Sequence, residues 1–385
     1  MRRSQPVVSA IGVVLLDCFM GALLLAAQPP ATSSSKAQAG QVNATGNLLV
    51  RRFSQTATLL PNGRVLIAGG MERNGKYNAS AELYDPRTGR FAATGSMSVP
   101  REGHAAILLG DGKVLIAGGS PGPDGNLATA ELYDPATGSF QRTGNMTGPR
   151  AYGAAVLLHD GKVLLIGGDG AHEDERLSSA ELYDPATGRF TATGSMHVPR
   201  EMHTAVLLKD GRVLVMGGSS AGSYPNARIE ASAEIYDPAT GRFSMTGSMN
   251  SARHKLAAVL LSDGRVLVVG GSDNRDGRGQ YASAELYDPA TGRFTNDGEM
   301  SFRRYKLILT AVRLPDGKVL IAGGAERPEL YDPSSKTFQK VTGTVGNGRY
   351  FSTATVLNDG RVLIAGGYGE DAMAGAVANA WLYQP

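Results

Sequence analysis

The sequence predicts an all-β fold, a seven-bladed β-propeller, from two observations. A short apolar run that ends in two adjacent glycines, as in residues 112–119, occurs seven times in the 385 residues. The copies follow one another about every fifty residues, and each has room for four strands, as in one propeller blade. The glycine pairs are Gly69/Gly70, Gly118/Gly119, Gly167/Gly168, Gly217/Gly218, Gly270/Gly271, Gly323/Gly324 and Gly366/Gly367.

The second copy shows how one blade is built. Its strands a, b, c and d are expected at 104–109, 113–117, 130–133 and 140–143. Asp111 and Gly112 form the two-residue turn of the a–b hairpin, where glycine accepts the positive φ. Strands a and b are nearly continuous apolar runs, which is typical of strands buried on both faces. A propeller explains this burial, because each blade is packed between two others.

The last copy lacks a fourth strand. The chain ends at Pro385, directly after strand c at about 379–383, whereas residues 42–52 match residues 91–101, the end of the first copy, in spacing. We therefore predict that residues 42–48 supply strand d of the last blade. This pairing closes the ring and removes an exposed sheet edge. The propeller domain is assigned to residues 42–385.

The first 41 residues have a different composition. Arg2 and Arg3 precede an apolar run at 7–27, and Pro and Ser residues follow. This order is typical of a secretory signal, although the run is also about long enough to anchor in a membrane. We expect residues 1–27 to be a signal peptide or anchor and 28–41 a flexible linker. Both alternatives place the propeller outside the cytoplasm, secreted, periplasmic or membrane-anchored, and we expect a monomer.

Two aromatic residues seven positions apart recur after the glycine pair in six of the seven copies, as Tyr133 and Phe140 do in the second copy. We expect these rings to pack between blades. The apolar strand, the double glycine and this aromatic pair together resemble the kelch repeat over about residues 42–385. Phe stands where that repeat usually has Trp, and the only Trp is Trp381. The resemblance implies the propeller fold, but kelch propellers serve as enzymes and as binding modules.

Charge and cysteine content exclude several function classes. The net charge of +3 gives no reason to expect nucleic-acid binding. The single cysteine, Cys18, lies in the leader, so the propeller has no disulfide, thiol nucleophile or Cys-ligated metal. Kelch-like copper radical oxidases need a Cys crosslinked to a Tyr, which excludes their chemistry here. We expect no cofactor and no metal, and the acidic loop at 169–176 is interpreted as solvated.

An arginine stands at the start of strand a in every copy. In kelch-like rings the d–a and b–c loops share one face, so these arginines would surround the channel mouth. There they could bind an anionic ligand. Strand c carries a glutamate in six copies, however, and a repeated structural ion pair is the favoured alternative. The arginines are Arg52, Arg101, Arg150, Arg200, Arg253, Arg304 and Arg349, and the glutamates are Glu82, Glu131, Glu181, Glu234, Glu285 and Glu329.

The residues just after each arginine differ between copies, so ligand specificity is expected there. Tyrosine rings could stack on a sugar, and Lys or His could hold an acidic group; a merely polar rim is the alternative. The candidate ligand-binding residues are Tyr152, His254, Lys255, Tyr305, Lys306 and Tyr350, with Arg101, Arg200, Arg253 and Arg304.

We expect an exported binding module that recognises an unknown protein, peptide or glycan on the loop face, rather than an enzyme. The alternative is a carbohydrate-active enzyme that resembles the sialic acid mutarotases among kelch rings. Such a proton transfer would need a Glu or His together with an Arg. The candidates for it are Glu102 with His104 and Glu201 with His203.

Overall fold

The computed structural model describes residues 39–72, 75–172, 174–223, 225–369 and 375–385. The predicted signal or anchor and most of the predicted linker lie outside these ranges. The compact propeller unit begins at Ala39 rather than at residue 42, because Gln41 already belongs to a strand and the Gly40 carbonyl accepts a hydrogen bond from Thr342. Within the described ranges, no helix has the length and apolar character needed to cross a membrane.

Seven four-stranded antiparallel sheets, one per blade, make up the propeller. Strands are numbered in chain order. Blade 1 contains β2 (Thr56–Leu59), β3 (Val65–Ala68), β4 (Ala81–Asp85) and β5 (Arg90–Ala93); blade 2 contains β6 (Ala105–Leu108), β7 (Val114–Ala117), β8 (Ala130–Asp134) and β9 (Ser139–Arg142). Blade 3 contains β10 (Ala154–Leu157), β11 (Val163–Ile166), β12 (Ala180–Asp184) and β13 (Arg189–Ala192).

Blade 4 contains β14 (Thr204–Leu207), β15 (Val213–Met216), β18 (Ala233–Asp237) and β19 (Arg242–Met245), with an inserted hairpin of β16 (Ser219–Ala221) and β17 (Arg228–Ile229). Blade 5 contains β20 (Ala257–Leu260), β21 (Val266–Val269), β22 (Tyr281–Asp288) and β23 (Arg293–Arg304), with a 3₁₀ turn at Asp276–Arg278. Blade 6 contains β24 (Ala311–Arg313), β25 (Val319–Ile321), β26 (Glu329–Asp332) and β27 (Thr337–Lys340). Blade 7 contains β28 (Thr353–Val356), β29 (Val362–Ala365), β30 (Ala380–Gln384) and β1 (Gln41–Ala44).

The predicted closure of the ring is confirmed. Strand β1 pairs antiparallel with β30, with Val42 opposite Tyr383 and Ala44 opposite Trp381. The same segment also bonds to the preceding blade, where the Val42 amide donates to the Thr342 carbonyl at 2.8 Å. The N-terminal segment is therefore held on both sides.

The first strand of each blade is innermost, and these strands contact one another around the central channel. Apolar side chains of successive blades form the core between them; Leu66 and Met97 of blade 1, for example, pack with Val114 and Tyr133 of blade 2. The ring centroids of Tyr133 and Phe140 lie 4.9 Å apart within one blade. The Tyr133 hydroxyl forms a hydrogen bond with the Thr94 hydroxyl of the preceding blade. The repeated aromatic pair thus joins blades as predicted.

Candidate functional site

The repeated arginines form structural ion pairs inside the blades. Arg101 is completely buried, and its guanidinium donates to the Gly118 and Thr129 carbonyls. It also pairs with Glu131 at 3.0 Å, and Glu131 in turn accepts the amide of Ser98. The same pairs are Arg52–Glu82, Arg150–Glu181, Arg200–Glu234, Arg253–Glu285 and Arg304–Glu329. Arg101, Arg200, Arg253 and Arg304 therefore do not form the exposed collar that direct contact with an anionic ligand would need.

The second residue after each arginine has a left-handed backbone conformation. Its φ lies between 50° and 59° in all seven blades, although only one of these residues is glycine. They are Ser54, Gly103, Tyr152, Met202, Lys255, Lys306 and Phe351. Backbone hydrogen bonds link neighbours around the mouth: the Tyr152 amide donates to Gly103, and the Met202 amide donates to Tyr152. This conformation costs about 1–2 kcal/mol for a residue with a Cβ, so the surrounding bonds hold the variable side chains in place at the mouth.

Blade 6 departs from the repeat inside the channel. Arg304 lies nineteen residues before the first glycine of its pair, whereas the separation is seventeen in every other blade. The two extra residues make a turn at Ile308 and Leu309, and Leu309 has a φ of 66°. Its side chain is 54 % exposed, which is unusual for a leucine in this structure.

A cavity at the channel mouth is lined by residues that differ between the blades. It has a volume of about 70 Å³ and continues into a channel space of about 280 Å³. The cavity is lined by Ser54, Gln55, Thr56, Gly103, His104, Tyr152, Gly153, His203, Ile308, Leu309, Phe351 and Ser352. Its surface is thus mainly apolar or uncharged.

His104 lines this cavity, whereas Glu102 reaches it only through its partner Tyr152. The Tyr152 hydroxyl donates to Glu102 at 2.7 Å, and burial raises the pKa of Glu102. His104 bonds through Nε2 to the Thr56 hydroxyl at 3.0 Å. Burial, followed by the charge of Arg101, lowers the pKa of His104 to about 3. The first Glu-x-His pair therefore supplies one buried carboxyl group and one neutral imidazole.

The side chains of Glu201 and His203 also have different surroundings. Glu201 pairs with Arg176 at 2.8 Å, and Arg176 also contacts Asp169 at 3.1 Å. Burial, followed by the charge of Glu201, raises the pKa of Asp169. Glu201 is therefore held in a carboxylate–arginine cluster of the blade 3 loop, whereas His203 lines the channel mouth.

The remaining candidates form a basic and aromatic group on blades 5 to 7. Lys255 pairs with Asp276 at 2.6 Å, and His254 bonds to Ser272 at 2.9 Å. The Lys306 ammonium lies 4.8–5.6 Å from four ring centroids, those of Tyr305, Tyr350, Phe351 and Tyr368. Burial, followed by the charge of Lys255, lowers the pKa of Lys306 to about 8. Tyr305 and Tyr350 are buried against each other, so the mouth offers Tyr152 and Phe351 rather than these rings.

Sequence reasoning missed the part of the mouth that blade 6 supplies. Ile308 and Leu309 are ordinary apolar residues, and only the longer spacing after Arg304 distinguishes them. Ser54 and Ser352 are also not recognisable from the sequence, because small hydroxyl residues carry no distinctive pattern.

Comparisons with known proteins agree with the architecture. The Kelch motif matches residues 150–197, which run from Arg150 through blade 3. Many solved structures have the same fold; one is a fungal alcohol oxidase of the AA5 family in complex with copper. It is 20% identical, with a TM-score of 0.72 over 90% of this chain and 77% of that one. No curated protein matches the chain in sequence.

The described residues of this propeller do not fit a copper centre. In the ranges described by the structure, no group of three or more His, Cys, Asp or Glu side chains could hold a metal ion. The rim histidines are also dispersed, since His104 bonds to Thr56 and His254 bonds to Ser272. The likeness to the oxidase therefore concerns the fold alone.

Proposed function

The chain is a kelch-repeat β-propeller, and from this premise we propose that it is a recognition module whose ligand binds at the channel mouth. Leu309 carries this proposal. An exposed leucine with a positive φ is unfavourable in both respects, and the two-residue insertion that presents it occurs in one blade of seven. Such a feature is explained if a ligand covers the side chain.

The chemistry of the mouth supports a ligand with an apolar surface. Leu309 and Phe351 border the cavity together with the neutral imidazoles of His104 and His203. Covering apolar surface contributes about 25 cal/mol per Å². A peptide, a protein loop or a glycan has the size to reach this site from the loop face. We propose that it does so outside the cytoplasm, with the propeller acting as a monomer.

An array of glycans and peptides tests the binding proposal. We expect ligands that bind the wild-type propeller to lose affinity at least tenfold on Leu309→Asp, which replaces the covered side chain by a charge that requires water. Met245→Asp is the matched control, because Met245 is 49 % exposed on the outermost strand of blade 4. Equal affinity for both variants would show that the ligand binds elsewhere.

A carbohydrate-active enzyme is the second candidate, because of Glu102. A buried carboxyl group with a raised pKa beside the Tyr152 hydroxyl could move a proton at a sugar. Magnetisation-transfer NMR of reducing sugars measures the exchange of their anomers. An enzyme would accelerate this exchange; Glu102→Gln would abolish the acceleration, and Glu299→Gln, at an exposed position, would leave it unchanged. No acceleration by the wild-type protein would refute the enzyme candidate.

A further inference from the structure

Two histidines occupy matching places in the ring but differ in their partners. His104 is the third residue after Arg101, and His203 is the third after Arg200. His104 bonds to the hydroxyl of Thr56, the fourth residue after the arginine of the preceding blade. The matching residue before His203 is Ala154, which has no hydroxyl. The repeat thus gives the Nε2 atom of His104 a hydroxyl partner and omits that partner for His203.

His203 is a buried polar side chain at the edge of the cavity. It is 3 % exposed, and within the described part of the chain neither of its ring nitrogens has a hydrogen bond of acceptable geometry. The ring lines both the channel mouth and the channel below it. Buried side-chain nitrogens usually have a partner, so this one indicates a place for a hydrogen-bonding ligand.

The position of the ring is fixed by glycines on both sides. A Cβ atom added to Gly167 of blade 3 would lie 2.9 Å from Cε1 of His203, and one added to Gly218 would lie 2.8 Å from Cβ of His203. Larger residues at either glycine would therefore displace the ring. A ligand would meet an imidazole that is already oriented, which lowers the entropy lost on binding.

We propose that His203 is the polar anchor for a hydroxyl group of an uncharged ligand, a saccharide or polyol, bound at the channel mouth. This inference rests on the proposed function and names the ligand class for that site. The ligand hydroxyl takes the role toward His203 that the Thr56 hydroxyl has toward His104.

The hydrogen-bonding capacity of the ring selects this class. A neutral imidazole has one donor and one acceptor, and a hydroxyl group can serve either nitrogen. Burial, followed by the charge of Arg200, lowers the pKa of His203 to about 3, although the Arg200 carbonyl opposes this shift. His203 is therefore neutral at physiological pH and offers no charge to a carboxylate or phosphate.

The surroundings also disfavour a charged group. Gly153 and Ala154 lie on the blade 3 side of His203, and Leu309 lies across the mouth. Burying an unpaired charge among such groups is costly, whereas a hydroxyl that makes one hydrogen bond is tolerated. The apolar Leu309 suits the carbon-rich face of a sugar ring.

The decisive variant is Ala154→Thr, which copies the hydroxyl of Thr56 into blade 3. It should satisfy His203 from within and exclude the ligand hydroxyl while the fold is kept, because threonine suits a strand. Ala105→Thr is the matched control, since it adds the same hydroxyl one blade away, where the residue opposite is Gly153. His203→Leu is a second variant, since Leu256 occupies the matching place in blade 5.

The probes are methyl β-D-galactopyranoside and methyl α-D-glucopyranoside. Each is titrated into the protein while the histidine ring nitrogens are observed by NMR. We expect binding of at least one to shift the His203 nitrogens. Ala154→Thr and His203→Leu should weaken that binding about tenfold, the loss of one good hydrogen bond, whereas Ala105→Thr should change it less than twofold.

Other outcomes separate this inference from the function on which it rests. In one outcome, Leu309→Asp abolishes saccharide binding, but Ala154→Thr and His203→Leu leave it intact. The binding site at the mouth would then stand, but His203 would not be its polar anchor. Tighter binding of galactonate or glucosamine than of the neutral glycosides overturns the uncharged class. Peptide binding at the mouth with no saccharide binding also overturns it, and no binding at the mouth at all refutes the proposed function itself.

Discussion

The guanidinium of Arg349 lies over the indole ring of Trp381, 4.9 Å from the ring centroid. Trp381 occupies the position in strand c that holds a glutamate in the other six blades. The buried ion pair of the repeat is thus replaced in blade 7 by a cation–π contact. Blade 7 is also the blade assembled from both ends of the described chain, with Ala44 opposite Trp381.

This replacement predicts unequal effects of removing the two kinds of arginine. Arg101→Met leaves Glu131 buried without its cation, and breaking such a pair costs about 3–5 kcal/mol. Arg349→Met leaves no buried glutamate behind at strand c, and a desolvated cation–π contact is worth about 2 kcal/mol. Urea unfolding should therefore show a clearly larger loss for Arg101→Met. Equal losses would mean that leaving Glu131 buried without its cation carries no extra cost.

Ring closure predicts that the two faces of β1 respond differently to charge. Val42 is buried in the core between the last two blades, whereas Asn43, the next residue, is exposed. We expect Val42→Asp to lower the free energy of unfolding by more than about 3 kcal/mol, because it buries an unpaired charge. Asn43→Asp should stay within about 0.5 kcal/mol of wild type. Thermal and urea unfolding measure both, and a tolerated Val42→Asp would contradict closure by this strand.

The buried histidines predict a loss of stability in acid. Burial is the largest cause that lowers the pKa of His104, His203 and His254 to about 3. Their pKa in the unfolded chain is about 6.5, so their contribution is present above that pH and is lost as the pH falls toward 3. Each histidine should lower the free energy of unfolding by about 2 kcal/mol between pH 6.5 and pH 5.

Urea unfolding at the two pH values checks this prediction by difference. His203→Leu should reduce the acid loss by about 2 kcal/mol, whereas His159→Leu, in an exposed turn, should not change it. Comparing variants is necessary because Glu102 and Asp169, whose pKa values are raised, act in the opposite direction. An acid loss that is unaltered in His203→Leu would show that this ring is not held neutral by the fold.

The left-handed positions at the mouth predict opposite effects at equivalent residues. Met202→Gly should raise the free energy of unfolding by about 1 kcal/mol, because glycine adopts a φ of 50° without a Cβ penalty. Gly103→Ala should lower it, since the added Cβ would lie 2.5 Å from the ring of Tyr152. Thermal unfolding of the two variants, compared with wild type, tests the conformation of the mouth. A stabilising Gly103→Ala would refute it.

The fold could be predicted from the sequence because the repeat makes the same prediction seven times. Strand order, the a–b turns and the completion of blade 7 by the N-terminal segment follow from spacing alone. The sheet pairing agrees, although the strand spans Gln41–Ala44 rather than 42–48. The structural role of Arg101 with Glu131 was also the favoured alternative, since a pair repeated around a ring suits a shared structure better than one ligand.

The site could be predicted only in outline. Adjacent residues in the chain, such as Tyr305 and Lys306, belong to the rim, but sequence does not say which rings cover one another and which border the cavity. The conformation of Tyr152 and the exposure of Leu309 depend on backbone angles that non-glycine residues adopt under tertiary constraint. The unsatisfied ring of His203 emerges only when Ala154 is compared in space with Thr56.

The most direct test is a crystal structure of the propeller with a ligand selected from the glycan and peptide array. We predict ligand density in the channel mouth, in contact with Leu309 and Phe351 and within hydrogen-bonding distance of His203. Density on the outer strands or on the opposite face, with the mouth empty, would contradict it.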